Sequence, residues 1–362
     1  MRTKPNRTAK LRKWALLLLL VPLLSACSIW GGSKGDIADK TSIDPPPKDL
    51  EEAWIQGVEQ SAIAEAGEMI TVYLLDRNEY LAPMSLRADQ EQDQERSAPV
   101  SGAEKAIAWM TVSRQLADQL PPGFAAVLPE GTKVNSVTED AAEQTISVDF
   151  ATPLPGIPAS RERKVIEALV WTLTELPGID KVKLSVGGKP IRSLPSSGLP
   201  VDPVLTRGLG INLEKVKDVQ PTYAMGVTLY FASQTAEGEG YFVPVTRLVN
   251  RQEDVAKAAL EQLIAGPQDT KSLQAVMTPD MSVEKLVRMA DTVNVSLKDA
   301  SGMPKSEVPS SMMEALVLTL TEAADLPQVS VVMNGDDSFL DSEQRAYDRP
   351  VTRPMYVNPL NR

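Results

Sequence analysis

The sequence contains no histidine and a single cysteine. These two absences remove whole classes of chemistry. Neither a Ser-His-Asp triad nor a Cys-His pair can be assembled. A zinc site of histidines and cysteines is excluded, as are an intramolecular disulfide and a redox cysteine pair. Aromatic residues are also scarce, at 5% of 362 residues, which argues against the aromatic-lined cleft of a solute- or glycan-binding protein. Positive charge is in deficit. The net charge is −11, and the first 26 residues hold six basic side chains (Arg2, Lys4, Arg7, Lys10, Arg12, Lys13) and no acidic one. Without that segment the remainder carries −17. So acidic a body repels the phosphates of nucleic acids and of anionic lipids, and any membrane attachment needs a covalent or inserted anchor.

No apolar run is long enough to cross a bilayer. Residues 14–24 form an apolar stretch of eleven, broken only by Pro22, which suits the core of a signal peptide and falls short of a spanning helix. It ends in Leu24-Ser25-Ala26-Cys27, which resembles a bacterial lipobox. That resemblance implies a diacylglycerol anchor on Cys27, with cleavage just before it. Residues 1–26 are therefore expected to be a lipoprotein signal peptide. Residues 27–67 are expected to be a lipid-anchored flexible tether, with 28–48 rich in Gly, Ser, Asp, Lys and Pro and lacking apolar periodicity. Leu50, Trp54, Ile55 and Val58 recur at helical spacing near the end of that tether.

What the chain does have is a sentence said twice. Glu167-Ala168-Leu169-Val170-Trp171-Thr172-Leu173-Thr174-Glu175 returns as Glu314-Ala315-Leu316-Val317-Leu318-Thr319-Leu320-Thr321-Glu322, identical at eight of nine positions with an offset of 147 residues. The same offset aligns residues 146–150 with 293–297 and 182–188 with 329–335. A period this long marks a duplicated domain rather than a stack of small repeats. The expected domains are 68–215 and 222–360.

Each copy reads β-β-α-β-β-β-α-β. Thr71-Val72-Tyr73-Leu74-Leu75 and residues 80–86 open the first copy as strands. Pro83 marks the second of these as an edge or a bulge, and Pro244 stands at the matching place in the second copy. A helix is expected over 103–120, stopped by Pro121-Pro122-Gly123, then a strand end and turn at 127–132 and a hairpin of strands at 134–138 and 145–150. The helix of the repeated sentence steps through Ile166, Leu169, Val170, Leu173 and Leu176 on one face, with Ser160 as its expected N-cap. Residues 181–186 follow as a strand, turned by Gly187-Gly188. The second copy repeats this, with helices at 253–265 and 310–324 and strand-like segments at 275–277, 283–288, 293–297 and 329–333. The fold class is α/β in the broad α+β sense: two tandem copies of a small sheet covered by two helices.

Few residues offer chemistry. The acidic turn Asn334-Gly335-Asp336-Asp337-Ser338 with Asp341 has the oxygen ligands that calcium takes, without the alternating ligand spacing of an EF-hand loop; a solvated turn is the expectation. Glu175 and Glu322 could be paired carboxylates for acid/base work, but they fall one in each copy, and a structural or surface role is expected. Thr172, Thr174, Thr319 and Thr321 are candidates to cap helix carbonyls or to face the sheet. Trp171 becomes Leu318 in the second copy, which reads as core packing rather than a binding platform. No catalytic residue, cofactor site or metal site is expected, and Cys27 is the one modification site.

The lipobox, the tether and the two Leu-Thr-Glu helices, with Leu128-Pro129-Glu130-Gly131-Thr132, Gly266-Pro267, Gly187-Gly188 and Asn334-Gly335, resemble the spore-germination protein family with paired GerMN domains. That resemblance implies a ring-building-motif-like fold and a non-enzymatic extracytoplasmic lipoprotein needed in sporulation and germination. It implies a place on the outer forespore membrane, and contacts with sporulation proteins of the channel complex between mother cell and forespore. Whether the chain also forms homo-oligomers stays open. The alternative is an envelope lipoprotein that acts on or binds peptidoglycan or another glycan. No nucleic-acid partner is expected.

Overall fold

The computed structural model describes residues 69–87, 101–153, 156–216, 219–301 and 308–360. The segments expected to be a signal peptide (1–26) and a tether (27–67, with its helical spacing), and Cys27, lie outside the described residues.

The first copy opens with an antiparallel hairpin, β1 (Met69–Leu75) and β2 (Leu81–Arg87). Helix α1 (Gly102–Trp109) follows, and its first turn is closed by a capping box between Ser101 and Glu104. The helix expected over 103–120 is in fact two. Thr111 forms a bridge with Leu128, and a short α2 (Arg114–Gln119) begins only after it. The consecutive β-branched residues Thr111 and Val112 favour this break. Leu128 enters that bridge and the chain turns directly after it, so 127–132 is the expected strand end and turn, with the strand reduced to one bridge. The segment expected to be strand-like at 275–277 is not a strand; beside it there is a single bridge from Gln274 to Ala232.

Strands β3 (Val134–Asp140) and β4 (Thr145–Phe150) form a hairpin, and α3 (Ala159–Leu173) then carries the chain over to β5 (Lys181–Val186), which lies parallel to β4. A parallel pair requires such a crossover, because a tight turn returns a strand antiparallel. The N-cap of α3 is Pro158, not Ser160, and it offers no side-chain cap. A tight turn with positive φ at both Gly187 and Gly188 leads to the short β6 (Lys189–Pro190). In the second copy Asn334 and Gly335 take the same left-handed angles, as a two-residue hairpin turn demands.

The second copy is built alike. A two-residue strand β7 (Glu214–Lys215) precedes the hairpin β8 (Ala224–Gln234) and β9 (Gly240–Asn250), with α4 (Val255–Ala265) after it. Strands β10 (Met281–Met289) and β11 (Thr292–Asp299), helix α5 (Ser310–Ala324), β12 (Gln328–Met333) and β13 (Val351–Thr352) complete it. The sheet orders are β3-β4-β5-β6 and β10-β11-β12-β13, beside the two hairpins. The fold is therefore α+β with several small sheets, as the sequence indicated.

Helices α3 and α5 are more deeply embedded than a one-sided stripe allows. Every residue from Val165 to Leu173 is buried, because α3 packs against α1, the first hairpin and β5 at once. A helix enclosed on all sides is apolar all round, which explains why the most faithful part of the repeat is also its most hydrophobic. Leu169, Leu173, Leu316 and Leu320 are all fully buried.

Candidate functional site at the seam between the copies

The site begins with two prolines. In the first hairpin Leu81, Pro83 and Ser85 lie opposite Leu75, Tyr73 and Thr71. Proline has no N–H to give to the ladder, so the outward-facing positions of β2 fall at Leu81, Pro83 and Ser85. The second hairpin places Phe242, Pro244 and Thr246 in the same register, opposite Ala232, Tyr230 and Thr228. The free edge of β2 packs against the part of β9 that β7 leaves unpaired. An unpaired strand edge is a row of backbone groups that must find partners.

Two asparagines supply them. The Asn212 side chain accepts from Leu81 N (2.9 Å) and donates to Leu81 O and Pro244 O, both at 2.8 Å. Asn358 does the mirror operation, accepting from Phe242 N (2.8 Å) and donating to Phe242 O (2.9 Å) and Pro83 O (2.7 Å). Each amide stands in for a peptide unit and ties its own copy to the other. The tails that carry them then cross over. Thr246 N donates to Ile211 O, and β7 pairs in parallel with β9. Reciprocally, Ser85 N donates to Asn358 O, and Leu360 N donates to Ser85 O. Each copy's tail thus closes the hairpin edge of the other. The buried pair Arg247–Glu214 (2.7 Å) pins the first tail further, with Arg247 also donating to Gly266 O at the end of α4.

Along the same seam lies a cleft of about 710 Å3 with a charged floor. Arg207 donates to Glu175 (2.7 Å) of its own copy, to Glu322 (2.8 Å) of the other, and to Thr174 Oγ1 (2.8 Å). Its guanidinium stacks 4.6 Å above the Trp171 ring, in cation–π geometry. Arg353, its counterpart, reaches Glu322 (3.3 Å), Tyr230 Oη (2.9 Å), Leu318 O and Thr321 Oγ1. The Tyr73 hydroxyl donates to Glu175 Oε1 (2.9 Å). Burial raises the Glu175 carboxyl, but the charges of Arg207 and Arg353 with their hydrogen bonds outweigh it and hold the group below its usual range. Burial and then Glu175 push the Tyr73 hydroxyl far up, and burial takes Tyr230 to about 12. A carboxylate held below its usual range, beside a second one shared between two guanidiniums, suits a lock better than proton transfer, which needs a group poised near working pH.

The repeated threonines divide two tasks. Thr172 accepts from Tyr73 N (2.9 Å) and Thr319 from Tyr230 N (3.1 Å), so each helix closes the outer edge of the strand beside it. Thr174 and Thr321 return hydrogen bonds to Val170 O and Val317 O one turn back, and present their oxygens to the two arginines. Changing Thr172 to Val keeps the shape and strands a buried N–H. Chemical denaturation should show a loss of about 1–3 kcal/mol, with the same order of effect for Thr319→Val.

Of the residues singled out in the sequence, Glu175 and Glu322 are brought together through Arg207, although each belongs to a different copy. Trp171 is fully buried, with its ring N–H donating to Gly210 O (3.1 Å). The acidic turn spends its oxygens internally. Asp341 is fully buried and accepts from Glu343 N, Arg345 N and the Tyr347 hydroxyl, while Asp336 accepts from Ser338 N. No cluster suited to a metal occurs among the described residues. The residues that sequence reasoning missed are Arg207, Asn212, Arg353 and Asn358. A signal for them existed: Arg207…Ile211-Asn212 returns as Arg353…Val357-Asn358, but at an offset of 146 rather than 147.

Fold and seam together define a duplicated α+β protein whose two copies are joined by exchanged tails. The chain belongs to the Germane family of sporulation and spore germination proteins, whose model matches residues 71–192 and 228–338. It is similar to the spore germination protein GerM of Bacillus subtilis (strain 168), 30% identical over 303 residues that span 82% of this chain and 79% of that protein. The solved tandem GerMN domains of the B. subtilis sporulation protein GerM superpose with a TM-score of 0.73 at 29% identity, covering 81% of this chain and 99% of that one.

Proposed function

We propose that the chain is a non-enzymatic contact module of the sporulating cell envelope. It is held by a lipid on Cys27 at the extracytoplasmic face of the outer forespore membrane, where it helps to assemble or hold the channel complex between mother cell and forespore. The observation that carries this reading is the seam. Its buried charges and amides are spent on joining two equivalent copies, and the product presents two related surfaces in one chain. Two such surfaces raise the effective concentration for a repeating or multi-part partner. Membership of a sporulation and germination family supports the setting, and a histidine-free chain whose paired carboxylates are locked in ion pairs supports the non-enzymatic role.

The test is co-purification of the full chain from sporulating envelopes. The expected result is recovery of extracytoplasmic sporulation proteins with the membrane-bound chain, and no release of muropeptides from peptidoglycan. In Cys27→Ala the chain should leave the lipid-modified pool and lose those partners. Muropeptide release abolished by changing one carboxylate would replace this reading with the peptidoglycan one. Normal lipid labelling of Cys27→Ala would refute the anchor.

A further inference from the structure

The two copies differ at one place where their backbones agree. Beyond the last helix and strand of each copy the chain makes a small hairpin. In the first copy Val201 N donates to Arg192 O and Leu194 N to Leu199 O; in the second Tyr347 N donates to Phe339 O and Asp341 N to Arg345 O. The bridges Ser193–Pro200 and Leu340–Ala346 complete the match. Arg192 therefore stands where the second copy has Phe339, and Val201 where it has Tyr347.

The consequence is a filled site in one copy and an open one in the other. Phe339 and Tyr347 are buried and stacked, with ring centroids 5.1 Å apart and planes at 8°, and they belong to the second core with Met312 and Met313. Val165 and Ile166 are the positions equivalent to those methionines at the repeat offset. In the first copy they help to line an apolar groove of about 370 Å3 with Ile157, Val186, Ile191 and Leu194. Lys189 and Arg192 stand exposed at its rim. Neither has an ion-pair partner among the described residues. The segment that fills the second copy's site is itself acidic: Asp336-Asp337-Ser338-Phe339-Leu340-Asp341.

We propose that the groove of the first copy is a docking site for an acidic segment of a partner protein that inserts an aromatic side chain, as Phe339 does within the second copy. This rests on the contact-module reading above and assigns one of its surfaces. The inserted ring would bury against Val165, Ile166, Ile191 and Leu194, which supplies affinity. Lys189 and Arg192 would face the flanking carboxylates, which supplies charge complementarity and a salt-dependent association rate.

The probe is a fluorescent peptide with the sequence of residues 335–342, titrated against the full chain carrying Cys27→Ala so that no lipid competes. Saturable binding that weakens at least about tenfold in Lys189→Glu/Arg192→Glu, as loss of two complementary charges should produce, is the expected result. Replacing the peptide's phenylalanine with serine should remove binding. The double variant Arg192→Phe/Val201→Tyr, which transplants the aromatic pair, should remove it too while raising the melting temperature. No saturable binding, or binding indifferent to charge reversal, overturns the proposal. So does retention of the Cys27→Ala chain on phosphatidylglycerol vesicles that needs Lys189 and Arg192 and that the peptide does not displace; the groove would then be a lipid site. Failure of the peptide while channel proteins still co-purify removes the groove and leaves the contact-module reading intact.

Discussion

Replacing Arg207 with glutamine should cost about 3 kcal/mol of stability, at the lower end of the roughly 3–5 kcal/mol that follows when one member of a buried ion pair is removed. The lower end applies because Arg207 keeps 22% of its side-chain surface exposed. Three acceptors each lose a donor at once: Glu175, which keeps the Tyr73 hydroxyl, Glu322 and Thr174. The larger penalty falls on Glu175, since Glu322 retains Arg353. The effect also has a pH signature. In the native chain the Glu175 carboxyl is depressed, so its stabilising contribution is present above the carboxylate's unfolded value and is lost as pH falls through the folded one. Without Arg207 burial dominates and the group rises, so the variant is penalised at neutral pH and relieved on acidification. The stability gap between native chain and variant, measured by denaturant titration from pH 7 to about pH 4, should narrow as pH falls. A pH-independent gap would show that Arg207 acts by packing on Trp171 alone.

The second large effect is expected at the asparagines. Asn212→Leu removes the partners of Leu81 N, Leu81 O and Pro244 O, three buried backbone groups, and an unmade buried hydrogen bond costs about 1–3 kcal/mol each. A loss of at least about 3 kcal/mol is expected from the single change. Asn358→Leu should behave alike, because it strands the equivalent trio on Phe242 and Pro83. Since both asparagines bridge the same two strand edges, the double variant should depart from additivity: once one clasp has opened the seam, the other has less to hold. Thermal denaturation of the two single variants and the double variant measures that coupling. Strict additivity would mean that the clasps serve their own copies separately.

Glutamine is not a substitute for asparagine at these positions. The amide must reach the N–H and the carbonyl of one residue while touching a second carbonyl across the seam, and one extra methylene moves it out of that plane. Asn→Gln should therefore recover only part of the stability lost in Asn→Leu. This distinguishes a positional role from simple polarity.

The repeat, the order of the main elements and the class of fold are all legible from residues close together in the chain. Apolar spacing at three and four residues declares α3 and α5, alternation declares the strands, and Gly187-Gly188 and Asn334-Gly335 declare turns, because each depends on local backbone preference. Pro83 and Pro244 declare edge strands for the same reason. What local pattern could not decide is which edge meets which. Glu175 and Glu322 read as one carboxylate in each domain, and only the packing of β2 against β9 places Arg207 between them. Arg207 and Asn212 lie in and after a stretch whose Pro, Ser and Gly content reads as loop, since their partners are residues far away in sequence. The near-identical stretch of the two helices is selected by core packing, which acts within each copy. The seam answers a different requirement, the satisfaction of backbone groups left open at two proline-bearing edges, and those groups acquire partners only when the chain has brought both edges together.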